Sequence, residues 1–322
     1  MALPAEGYQL KDISPRAFQH PADRAATGAL AAIPFLDTIV RKLIELGYER
    51  ALRQSFLGAS VRLSEDQLPE VHTRHRRAYL TLDVPEVPDL YLTQVPFANA
   101  MTIGAGHPIV VVQSELIRLL DPEAQRAVFA HEAGHVLSDH VLYRTALEIM
   151  LKLGGSARLP LAVLPVRSAL LEWFRASEFS CDRAAAVATR DPLTVCRSLM
   201  VITAGAEAEK LNLDAFMAQG NEYREQGGAV ERLSRLLIDL NLTHAVPVRR
   251  AGELMQWVRS GEYDRIVGGE YPKRDDPVDP RADAADAAQH YAERVRSRFE
   301  EVGESMADAG RQVSDWLSRL GR

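Results

Sequence analysis

The spacing of apolar residues divides the chain into helical and extended stretches. After His20 and Pro21, apolar positions recur through Leu30, Ile33, Ile39, Leu43 and Leu46 at helical intervals, so residues 1–59 are expected to form a helical N-terminal region. From Ser60 to Ser114 the pattern shifts to short apolar runs, AYLTLDV, DLYLTQV and HPIVVVQ, separated by Pro and Gly. These runs predict a small sheet, with Ile109 to Val112 as its most strand-like segment.

Helical spacing returns in DPEAQRAVFAHEAGHVL. Asp121 is a good N-cap, Pro122 suits the first helical position, and Glu123 complements the helix dipole. A second long helix is expected from about Val166 to Thr189, and Asp191 followed by Pro192 repeats the cap to start a third. The pattern therefore predicts a mainly helical α+β fold with a principal domain over residues 60–267. Residues 268–286, GGEYPKRDDPVDPRADAAD, are rich in Pro, Asp and Gly and poor in large apolar groups, which suits a flexible linker. Beyond it Val295, Phe299, Val302, Met306, Ala309, Val313, Trp316 and Leu320 alternate at spacings of four and three, so residues 287–322 are expected to form an amphipathic helix.

Composition narrows the classes. With 322 residues, 47% of them hydrophobic, the chain can bury a substantial core. A net charge of −6 gives no basic field for nucleic acid. The two cysteines, Cys181 and Cys196, form no CxxC pair, so a disulfide framework is unsupported and a reducing cytoplasm fits best. MALPAEGYQLKD has neither the basic start nor the apolar run of a secretory signal. No transmembrane helix is expected: Pro96, Gly104, Gly106 and Pro108 break the charge-free run from Leu90 to Ser114, and the other apolar clusters are too short.

The candidate chemistry lies in HEAGH. His131 and His135, one helical turn apart, project from one face and can reach a single ion, typically zinc. Glu132 lies roughly 100° around the helix, where it can act as a general base on an attacking water. The competing reading is a helix whose histidines are merely capped and solvated, and a third ligand has to decide. His140 is the nearest candidate, but Ser138 and Val141 exclude the HExxHxxGxxH pattern, and His140 fits a surface or supporting residue better. The alternative is Glu178 in RASEFSCDRAA, with Asp182 on the same helical face to orient a ligand or pair with an arginine; without HEAGH these two would read as a solvated acidic pair.

Together these motifs resemble the gluzincin metallopeptidases related to HtpX and the CAAX prenyl endopeptidases. The likeness rests on HEAGH, on SEFSCD as the family's ExxxD, on FANAMTIGAGHPIVVVQSEL with Asn99, Ala100, Gly104 and Leu116, and on THAVPVRR, in which His244 and Arg250 match HPxxxxR although Ala245 replaces Pro. It covers about Ser60 to Tyr263. The resemblance implies one zinc held by His131, His135 and Glu178, with Glu132 as base, His244 near the oxyanion, and Arg250 paired with Asp182 or another buried acid. It also suggests that Ile109, Val110, Val111 and Val112 form the edge strand to which an extended substrate adds. A buried core strand is the competing reading.

Family members embedded in membranes carry hydrophobic spans near the catalytic helices. Here the corresponding stretch, Val141 to Phe174, is interrupted by Arg144, Glu148, Lys152, Arg158 and Arg167, so the chain looks like a soluble version. The leading expectation is a zinc metalloendopeptidase acting on protein or peptide substrates. The alternative is a non-catalytic or latent zinc-containing protein that holds peptides. The C-terminal stripe suits partner docking, self-association or folding back on the catalytic domain, with peripheral membrane contact as the weaker reading.

Overall fold

The computed structural model describes residues 8–31, 36, 40, 47–104, 106–156, 164–225 and 245–277. The expected C-terminal helix, residues 287–322, and His244 lie outside the described residues. Helix α1 (Pro21–Ala31) is followed by α2 (Tyr48–Ala59), the short strand β1 (Val61–Arg62) and α3 (Pro69–Thr81). Strands β2 (Asp89–Thr93), β3 (Ala100–Ile103) and β4 (Ile109–Gln113) come next, and then α4 (Ser114–Leu119), α5 (Pro122–Leu137), α6 (Val141–Ser156) and α7 (Leu164–Thr189). Helices α8 (Pro192–Ala204), α9 (Leu213–Glu225), α10 (Pro247–Arg259) and α11 (Glu262–Val267) complete the mainly helical α+β fold.

Two readings of the pattern need correction. AYLTLDV is not a strand: its first residues end α3. Val71, His75, Ala78 and Tyr79 are buried at helical intervals, Pro69 opens the helix, and Glu70 pairs with Arg74 one turn on. The second correction concerns Ile109, Val110, Val111 and Val112. The sheet order is β1-β2-β4-β3, with β4 parallel to β2 and antiparallel to β3, so β4 is internal. Val110 and Val112 enter the main core, while Ile109 and Val111 pack with Tyr91 and Ile103 on the opposite face. Both faces are covered, which explains the unbroken apolar run. The edge beside β4 is β3.

Helix α5 starts as the cap rule requires: Asp121 Oδ1 accepts a hydrogen bond from the Ala124 amide at 2.8 Å. It ends at Ser138, and Asp139 adopts a left-handed φ of 57°, which turns the chain directly into α6. Asp191 caps α8 through the amides of Leu193 and Thr194. Helices α5 and α7 pack closely because α5 carries Gly134 at the crossing. A Cβ there would fall 2.9 Å from Ala184 Cβ and 3.3 Å from Cys181 Cα.

The N-terminal segment joins the same body. Leu10, Ile13 and Phe18 lie in the main core with Phe129, Val187 and Trp257, while Ala22, Ala26 and Leu30 pack with Trp173 and Phe174 in a second cluster. The first part of the expected linker, residues 268–277, is described. Lys273 bridges to Ile13, and Pro272 O accepts from the Ser14 amide at 3.0 Å. No helix among the described residues is long and apolar enough to cross a membrane.

Candidate metal centre and cleft

The crossing of α5 and α7 brings His131, His135, Glu178 and Asp182 together. Glu178 Oε1 lies 3.3 Å from His135 Nε2 and 3.7 Å from His131 Nε2. Its other oxygen, Oε2, accepts a hydrogen bond from Arg250 Nη1 at 2.7 Å. His135 is fully buried, and its Nε2 makes no hydrogen bond. A buried imidazole nitrogen without a hydrogen bond, 3.3 Å from a carboxylate oxygen, is a pair that a divalent cation would satisfy, so these residues fit the expected metal.

Arg250 sits on α10 and clamps both acids of α7. Its Nε and Nη2 reach Asp182 Oδ2 and Oδ1 at 2.8 and 2.6 Å. Asp182 Oδ1 is also 3.1 Å from His131 Nδ1, so the carboxylate touches the ring nitrogen opposite Glu178. Burial alone would raise the Asp182 pKa, but Arg250, followed by His131, holds it below the ordinary carboxylate value. At His131 burial works against charge, yet Asp182 and Glu178 outweigh it and raise the pKa to about 9. Burial and the nearby Arg144 push His135 well below the usual imidazole value.

Among the described residues, His131, His135 and Cys181 also offer ligand atoms within 4.8 Å of one another. Cys181 lies one turn after Glu178, with Sγ 3.8 Å from His140 Nδ1. His140 Nδ1 in turn faces His135 Nδ1 at 3.2 Å. Glu178 Oε1, by contrast, faces Nε2 of both histidines of the α5 motif. Burial raises the thiol pKa well above its ordinary value.

Glu132 is buried and held through one oxygen. Its Oε2 accepts from Thr102 Oγ1 on β3 at 2.7 Å and from Arg144 Nη1 on α6 at 3.1 Å. Neither partner stood out in the sequence: Thr102 is one residue of a strand, and Arg144 counted only as a charge interrupting an apolar stretch. Nor is His140 a surface residue. It is 2% exposed, because the tight turn at Asp139 folds it back against His135.

A cavity of about 430 Å³ opens beside this cluster, bounded by Phe97 to Ala100, by His131, Glu132 and Glu178, and by Pro247 and Arg250. Its inner wall is apolar, formed by Leu116, Ala127, Val128, Ala185, Val195 and Leu199. Phe97, at the mouth, is exposed.

Comparison with known proteins gives these groups a family. The model of peptidase family M48 matches residues 65–258, which contain the α5 and α7 motifs and Arg250. A plastoglobule-localized metallopeptidase 48 of Arabidopsis thaliana is 34% identical over 266 residues, covering 80% of this chain and 76% of the relative. A protease HtpX homolog of Burkholderia ambifaria is 25% identical over 232 residues, covering 63% and 79% respectively. No solved structure gives a significant match. With the family match running through every helix that builds the cluster, the chain belongs to peptidase family M48 and is a metalloprotease.

Proposed function

We propose that the protein is a zinc-dependent endopeptidase in which His131, His135 and Glu178 hold the metal and Glu132 is the general base. The observation that carries the reading is the convergence of both Nε2 atoms on Glu178 Oε1, at 3.3 and 3.7 Å. Glu178 is preferred over Cys181 because Arg250 anchors its carboxylate with Oε1 turned to both Nε2 atoms, whereas the Cys181 sulfur lies 3.8 Å from His140 Nδ1. Zinc at this position would supply Lewis acidity, polarising a carbonyl and lowering the pKa of water towards about 7.

The chain's own groups orient and move the proton. Thr102 and Arg144 fix Glu132 through Oε2, while Oε1 takes neither contact and serves as the acceptor for the proton of the attacking water. That proton is then available to the leaving amine. An extended peptide pairs with the edge at β3 and places an apolar side chain against Leu116, Val128, Val195 and Leu199. Backbone pairing recognises the chain in extended form, and the apolar wall selects the side chain.

Metal analysis and peptide hydrolysis by wild type, Glu132→Gln and Glu178→Ala test this reading. About one zinc per chain in the first two and much less in the third is expected, with hydrolysis lowered by about 10²- to 10⁴-fold in Glu132→Gln. Equal hydrolysis by wild type and Glu132→Gln would defeat the assignment of the base.

A further inference from the structure

The two histidines of HEAGH are supported differently. His131 Nδ1 meets a carboxylate, Asp182, directly. His135 Nδ1 instead meets another imidazole, His140 Nδ1, at 3.2 Å. On the far side of that ring, His140 Nε2 lies 3.1 Å from Asp23 Oδ2, in an off-axis approach. Asp23 belongs to α1 and is 0% exposed.

A fully buried carboxylate on a peripheral helix needs a reason, because removing it from water is costly unless it is paired. Its surroundings hold it in one orientation. Ser180 Oγ, on α7, donates to Asp23 Oδ2 at 2.6 Å, and Thr27 Oγ1 donates to Oδ1 at 3.3 Å. Trp173 Nε1 fixes Thr27 at 2.9 Å, and the Trp173 ring stands edge-on to His140 at 5.5 Å.

Proton positions then follow from one requirement. For His135 to offer the Nε2 lone pair to a metal, its neutral ring must carry the proton on Nδ1. That proton points to His140 Nδ1, which must therefore present a lone pair. The His140 proton is left on Nε2, facing the Asp23 carboxylate. A single set of tautomers turns each ring proton toward an acceptor, the His140 proton approaching Asp23 Oδ2 off axis.

We propose that Asp23 and His140 form a positioning relay that fixes the tautomer and ring orientation of His135 for metal binding. Helix α1, outside the segment matched by the family model, thereby contributes to the metal centre. This inference rests on His135 being a ligand. Carboxylates that act on a ligand histidine from beyond the metal tune affinity by roughly 10- to 100-fold, and here one imidazole carries the effect inward.

The test uses the full chain as wild type, Asp23→Asn, His140→Leu and His140→Gln. Zinc affinity is measured by competition with a chelator, and thermal unfolding of the metal-free proteins reports folding. Gln accepts the His135 Nδ1 proton through its amide oxygen and donates to Asp23, so His140→Gln should stay within about threefold of wild type. His140→Leu and Asp23→Asn should bind zinc about 10- to 100-fold more weakly.

A packing role predicts the reverse order, because Leu suits an apolar site better than Gln. Wild-type affinity in a folded His140→Leu, or tighter binding by Leu than by Gln, would overturn the relay. If His140→Leu and Asp23→Asn fail to fold, a tenfold loss in His140→Gln also overturns it. Absence of zinc from the wild type itself would instead remove the metal reading on which the relay depends.

Discussion

Arg250 and Glu178, 72 residues apart in sequence, are joined at 2.7 Å, so the oxygen of Glu178 facing the two histidines belongs to a carboxylate already anchored by a guanidinium. The same arginine binds both oxygens of Asp182. Arg250→Ala would leave two buried carboxylates without their cation, and breaking a buried pair this way costs about 3–5 kcal/mol. Urea unfolding should show a loss of that order, and metal content should fall with it. Lys cannot reproduce the forked contact and should restore only part. Unchanged stability and metal content in Arg250→Ala would refute the anchoring role.

Thr102→Val removes the hydroxyl that donates to Glu132 while keeping the β-branched shape of the strand residue. Hydrogen bonds to charged groups contribute about 1.5–3 kcal/mol, so kcat should fall roughly 10- to 100-fold. Zinc content should be unchanged, because the Thr102 hydroxyl bonds to Glu132, the proposed base, and not to a proposed ligand. Loss of metal along with activity would point to a broader disturbance of the site.

The raised pKa of His131 has a definite sign. In the folded, metal-free protein Asp182 and Glu178 overcome burial and lift the value from 6.5 to about 9. The stability this contributes is complete below pH 6.5 and is lost as pH rises through 9. Metal ligation needs the neutral ring, so zinc uptake near pH 7.5 should release about one proton, and apparent affinity should rise about tenfold per pH unit up to about 9. Calorimetry in buffers of different ionisation enthalpy counts that proton. No release at neutral pH would mean that His131 is already neutral.

Gly134→Ala tests the helix crossing. Alanine favours an isolated helix over glycine by about 1 kcal/mol. Here, however, the added methyl would meet Ala184 Cβ at 2.9 Å and Cys181 Cα at 3.3 Å. Overpacking of this kind costs about 1–3 kcal/mol, so a net loss of stability and weaker zinc binding are expected. A variant more stable than wild type would show that the helices separate freely.

The parts of the site legible from local pattern are those encoded within one helix, while the pairing of Arg250 with Asp182 across helices follows only from the family resemblance. The Asp121 cap, the spacing of His131 and His135, and the shared face of Glu178 and Asp182 all follow from local geometry. Strand order is not local: the apolar run Ile109 to Val112 suits an edge or a core, and only pairing with both β2 and β3 makes it internal. Thr102, Arg144 and Asp23 left no signal, because each matters through one contact made across the fold. Of the two places open to His140, at the surface or in support of a proposed ligand, the structure shows the second. Its place after the helix leaves both open, and the Asp139 turn decides for burial.

The bridge between Ile13 and Lys273 also has a mechanical side. Arg274 N donates to Asp12 O at 3.0 Å, so segments distant in sequence run side by side and are fastened through their backbones. A proteolytic cut that frees either strand of the clasp removes the other's backbone partners and opens a path to Leu10 and Phe18. The clasp thus ties the N-terminal segment, whose Leu10, Ile13 and Phe18 enter the main core, to residues beyond the far end of the family-matched segment.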